Sequence, residues 1–108
     1  MIKIKDLENY FEKSFDELLN DSDIVVVAND INGAWEDYYN WEMENSNLYE
    51  INNTLNGETK KYLNTIKDEF YKWVENCNAD ELLNYELSTY QRHFMLENGK
   101  VYYLNSYL

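Results

Sequence analysis

The sequence predicts a small α+β fold, one domain over residues 1–108, and three observations lead there. Apolar positions recur at steps of three and four over about residues 6–20 and again over 58–76, the spacing of one buried helical face. Between them lies Ile24-Val25-Val26-Val27-Ala28, a short β-branched run with the composition of a strand. Each of the three glycines follows an asparagine, at Asn32-Gly33, Asn56-Gly57 and Asn98-Gly99, and Asn-Gly favours the positive φ angles of a tight hairpin turn. A chain that is 44% hydrophobic and 17% aromatic can build one modest core and is too aromatic for a disordered acidic chain.

The first helix is expected over about 6–20, with Leu7, Tyr10, Phe11, Phe15, Leu18 and Leu19 inward and Asp6 as its N-cap. It should stop near Asn20-Asp21-Ser22-Asp23. The continuous apolarity of residues 24–28 implies burial on both faces, hence a central strand. Residues 34–43 carry two patterns. As a strand they place Trp35, Asp37, Tyr39, Trp41 and Met43 on one face; as a helix they align Trp35, Tyr38, Tyr39 and Glu42. The preceding Asn32-Gly33 turn favours the strand, and with Leu48-Tyr49-Glu50-Ile51 as a third strand the expectation is an antiparallel meander over about 23–52.

Residues 52–57 read as a loop. The second helix follows over about 58–76, burying Leu63, Ile66, Phe70, Trp73, Val74 and then Cys77. Asn78 and Glu81 have the spacing of a capping box and predict a short third helix through Leu82 and Leu83. Asn98-Gly99 should close a C-terminal hairpin with strands at about 89–97 and 100–107.

Charge is distributed unevenly along this frame. The formal net charge is −12, and the stretch from Ser14 to Thr59 holds eleven of the 21 carboxylates without one Lys or Arg. An aromatic run, Trp35, Tyr38, Tyr39, Trp41 and Tyr49, lies inside it. Such a balance disfavours direct binding of nucleic acid or an anionic membrane and fits a basic protein surface. Asp30, Glu36, Asp37, Tyr38, Glu42, Glu44 and Glu50 are the expected partner-binding residues. Trp35 and Trp41 fit either the core face of the sheet or the interface.

The residues offer little for catalysis. One His and one Cys make no zinc set, and no base–nucleophile pair is placed by the sequence. His93 is expected on a strand surface, and Cys77, on the apolar stripe of its helix, is expected as a packed thiol. The glycines form no phosphate-binding loop, and Asp21-x-Asp23 lacks the ligand series of a calcium loop. The expectation is a protein without enzymatic activity, cofactor or metal. A single cysteine, no signal-peptide pattern at Met1-Ile2-Lys3-Ile4-Lys5 and no apolar run long enough to span a bilayer suggest the cytoplasm.

In size, acidity and α+β character the chain resembles the small phage-encoded inhibitors of bacterial defence, the anti-CRISPR and anti-restriction proteins. The resemblance rests on no shared motif and carries over no residue. It implies a protein that occupies the nucleic-acid-binding surface of a nuclease or CRISPR effector by acidic DNA mimicry. Two alternatives use the same residues: an immunity protein covering a basic nuclease toxin, and a general protein–protein interaction module.

Overall fold

The structure is a computed structural model that describes residues 1–48 and 54–106. Its centre is a three-stranded antiparallel sheet in the order β1-β3-β2, made of β1 (Ile24–Ala28), β2 (His93–Met95) and β3 (Val101–Leu104). Helices α1 (Ile4–Phe11), α2 (Phe15–Asn20) and α5 (Ala79–Asn84) lie on one face, and α3 (Ile31–Leu48) and α4 (Thr54–Asn76) on the other. The α+β class is as expected, and the sheet is assembled differently from the expected meander.

Strand alternation divides the interior in two. Ile24, Phe94, Tyr102 and Leu104 point to the face packed by Leu7, Leu18, Leu82 and Leu83. Val101 and the half-buried Val27 and Met95 point to the other, where Trp35, Tyr38, Leu63, Ile66, Phe70 and Val74 pack. The sheet is therefore a shared wall between two apolar clusters.

The single helix expected over 6–20 is two helices. Glu12 adopts a left-handed conformation, φ 55°, and its N–H closes α1 on the carbonyl of Glu8. Ser14 then caps α2 by accepting the Glu17 N–H at 3.2 Å, and Glu8 Oε2 takes the Phe15 N–H at 2.7 Å across the break. Ser14-x-x-Glu17 is a helix start inside an apolar spacing that runs on through it, because both helices face the same cluster. The N-cap position of α1 is Lys3, and Asp6 sits in its first turn.

The meander is corrected most. Residues 34–43 are helical, within α3. Asp30 caps that helix, its Oδ1 accepting the Gly33 N–H at 2.7 Å and its carbonyl the Ala34 N–H at 3.1 Å. Gly33 serves close approach here rather than a hairpin: a Cβ on it would stand 3.2 Å from that of Ala28. The buried positions Ala34, Trp35 and Tyr38 follow the helical period. Leu48 of the expected third strand is helical, within α3, and its Tyr49, Glu50 and Ile51 lie outside the described residues. Of the expected loop, Thr54 to Gly57 are the first turns of α4, and residues 52 and 53 lie outside the described residues.

The segment expected at the centre of the sheet, β1, is at its edge; β3 is the middle strand. Its apolarity is spent unevenly, since Ile24 is fully buried while Val26 is 51% exposed.

The remaining elements follow the sequence closely. Buried Leu63, Ile66, Phe70 and Val74 give α4 its inner face, and Asn78 caps α5 through the Glu81 N–H at 2.8 Å. Gly99 closes the β2–β3 hairpin at φ 81°, with its N–H on the Leu96 carbonyl at 2.9 Å. The hairpin is shorter than expected because Tyr90–Arg92 form a 3₁₀ turn. This turn sends Arg92 inward to donate from Nε to the Leu104 carbonyl at 2.8 Å.

Candidate interaction site on helix α3

An 18-residue helix brings the expected site residues onto one rigid support and sorts them by its period. The inner face holds Trp35 and Tyr38; the outer face exposes Glu36, Asp37 and Glu44, with Asp30 exposed at the cap. Among the described residues none of these four carboxylates is ion-paired with a Lys or Arg. Asp16 and Glu17 are also exposed, in the first turn of α2, but that helix packs on the opposite face of the sheet, so they do not belong to this surface. Nor do Asp21 and Asp23, because Lys13 Nζ sits 3.1 Å and 2.7 Å from their carboxylates.

Two expected site residues, Tyr38 and Glu42, depart from this surface. Tyr38 is 3% exposed and stacks on Phe70, with ring centroids 5.6 Å apart and planes 15° from parallel, so it belongs to the core. Burial, and next the neighbouring Glu42 carboxylate, raise its phenol far above the ordinary value near 10. Glu42 is thereby half-buried against the Tyr38 hydroxyl rather than presented outward. Glu50 lies outside the described residues.

The two tryptophans separate. Trp35 is core, in edge-on contact with Phe70 at 5.2 Å; Trp41, 49% exposed, stands at the mouth of a cleft. That cleft, of about 370 Å³, opens between α3 and the sheet, and its lining includes Val25, Val27, Asp37, Tyr38, Trp41, His93 and Tyr103. Val25 and Tyr103 meet there because they are register partners across β1 and β3. The sequence marked Asp37 and Trp41. It missed the valines and Tyr103, although the β-branched run and the Asn98-Gly99 turn were the signals for two extended segments in need of a partner.

His93, expected on a surface, is 4% exposed. As a β2 residue on the same sheet face as Met95, it points at α4, where its ring meets those of Phe70, Tyr38 and Tyr103 at 5.4, 5.5 and 5.1 Å. Its Nδ1 is 3.2 Å from the Tyr90 carbonyl, and burial lowers its pKa below the ordinary value. A neutral imidazole donating from Nδ1 fits both facts.

The described residues contain no group of three or more His, Cys, Asp or Glu side chains able to hold a metal ion. Nor do they contain a helix long and apolar enough to cross a membrane. What the arrangement offers chemically is uncompensated negative charge on a helix, beside an apolar cleft with an exposed indole at its rim. Comparison with family models, with curated proteins and with solved structures finds no match to this chain.

Proposed function

We propose that the protein is a non-enzymatic inhibitor that lays the acidic face of α3 on a basic, nucleic-acid-binding surface of a partner protein. The partner class is a bacterial defence nuclease or CRISPR effector, and binding excludes the nucleic acid. The observation that carries this reading is the exposed set Asp30, Glu36, Asp37 and Glu44 on one helix without a counter-ion among the described residues. A rigid helix holds those charges at low entropic cost, which a flexible acidic tail would not.

Magnitude refines the mimicry. From Asp30 to Glu44 the helix advances about 21 Å at 1.5 Å per residue, and a duplex of that length carries roughly twelve phosphates. Four carboxylates cannot replace them charge for charge. The acids then steer and orient, while apolar contact around Trp41 supplies hold.

The test is affinity capture from a bacterial lysate with the wild-type protein and with a Glu36→Lys/Glu44→Lys variant. A Asp68→Lys/Glu75→Lys variant, altered on the exposed side of α4, is the control. The wild type and the control should capture the same basic protein, the first variant should not, and added duplex DNA or RNA should displace the captured protein. Capture that survives Glu36→Lys/Glu44→Lys, or that nucleic acid does not compete, overturns the reading.

A further inference from the structure

The two edges of the sheet are finished differently. At β2, Ile2 N–H bonds the Met95 carbonyl at 3.0 Å and its carbonyl takes the Glu97 N–H at 3.1 Å, while Trp73 Nε1 donates to the His93 carbonyl at 3.0 Å. That edge is closed. At β1, the Asp23 carbonyl accepts the Asn105 N–H at 2.9 Å, which sets the phase of the ladder to β3. Antiparallel alternation then turns the N–H and C=O of Ile24 and Val26 away from β3. Among the described residues nothing else bonds the backbone of Ile24–Ala28.

Edge strands are ordinarily blunted by charge, proline or cover. Ile24–Ala28 has no charged residue and no proline, and Val26 is half exposed. A register shift between Val26 and Ala28 bends only its end. Directly beside this strand opens the cleft of Val25, Val27, Asp37, Trp41 and Tyr103. Tyr103 already carries the Arg92 guanidinium over its ring, 5.7 Å from the centroid, which shows the cation affinity of that wall; the exposed Trp41 indole and the Asp37 carboxylate suit a second cationic side chain.

We propose that the open edge of β1 is a strand-addition site for an extended, basic segment of the partner protein, one of whose Arg or Lys side chains enters the cleft between Asp37, Trp41 and Tyr103. Charge selects this occupant. A second copy of the chain would bring another −12 against the first, with Asp30 and Asp37 beside the joined strands, whereas a basic segment is drawn by the same groups. The proposal rests on the basic-partner reading above and specifies how part of that partner is gripped: backbone bonds to the edge for affinity, the cleft for side-chain choice.

The probe is a fluorescent peptide of about ten residues alternating Arg and Val, long enough to span the strand. Controls are a Glu-Val peptide and an Arg-Val peptide N-methylated at every second residue, which keeps the charge and removes strand donors. Fluorescence anisotropy should show saturable binding of the Arg-Val peptide alone, with each control weaker by about tenfold or more. Asp37→Asn should weaken binding several-fold, and amide NMR shifts should centre on residues 24–28 and the Trp41 indole. Equal binding of the N-methylated peptide, shifts confined to the Glu36–Glu44 face of α3, or self-association through β1 overturns strand addition while leaving the acidic-face reading standing. Peptide binding at β1 together with lysate capture that is indifferent to Glu36→Lys/Glu44→Lys has the opposite meaning.

Discussion

Lys13 Nζ donates to Asp23 Oδ2 across 2.7 Å, tying the turn between α1 and α2 to the residue that leads into β1. The same carboxylate accepts the Ser106 hydroxyl, and the Asp23 carbonyl takes the N–H groups of Asn105 and Ser106. Asp23 thus gathers the beginning of β1 and the end of β3 at one point.

This cluster predicts acid sensitivity of a definite sign. Lys13 first, and then the Ser106 hydroxyl, hold the Asp23 carboxyl below its ordinary value of 3.8. Its contribution is complete above about pH 3.8 and is lost as pH falls through the depressed folded value. Lys13 is raised from 10.5, so its share persists below that and fades as pH rises through the folded value. Asp23→Asn should cost about 1 kcal/mol near neutrality, and the gap to wild type should close in melts below about pH 3.8.

The aromatic cluster between α3 and α4 should dominate stability. Phe70 is fully buried against Trp35, Tyr38, Tyr71 and His93. Phe70→Ala should cost about 3–5 kcal/mol by urea denaturation, a large part of what a small domain has. Trp41→Ala, at the exposed rim, should change stability by no more than about 0.5 kcal/mol.

Two Asn-Gly pairs should respond with opposite signs to alanine. Gly99 holds φ 81°, so Gly99→Ala should destabilise by about 1 kcal/mol. Gly57 is exposed within α4, and a Cβ there meets no atom within 4 Å. Gly57→Ala should stabilise by about 0.5–1 kcal/mol, checked in the same denaturation series.

The buried Cys77 should be chemically quiet. Burial, and next the Glu81 carboxylate, push its thiol up to about 11, and its side chain is almost fully covered. An aromatic disulfide reagent at about pH 8 should modify it on the timescale of unfolding, and rapidly once urea is added.

Helices α4 and α5, the strand run and the final hairpin were legible because each is encoded locally: the apolar period of α4, the Asn78–Glu81 cap of α5, the positive φ of Gly99. The partner of β1 was not, since pairing Ile24 with Leu104 is a matter of topology that no local pattern records. Residues 34–43 misled for a nearer reason. Asp30 and Gly33 could begin a hairpin or cap a helix, and packing of Trp35 and Tyr38 on Phe70 decides it. Of the candidate site, the charge of Glu36, Asp37 and Glu44 could be read directly. The inward turn of Tyr38 and Glu42 follows only once the period is 3.6.

The position of β3 in the middle of the sheet also sets an order of events at the ribosome. β1 is among the first segments synthesised, yet the strand that must cover it comes after every other element described. Until then Ile24–Ala28, apolar and uncharged, waits with both edges open, and closing it against Val101–Leu104 costs a loop entropy of about 4 kcal/mol. The helical pair α3–α4 can pack earlier from neighbouring contacts. Nascent chains stalled before Gly99 should therefore hold a helical hairpin beside an unsheltered strand, the form of this protein most exposed to chaperone capture and aggregation.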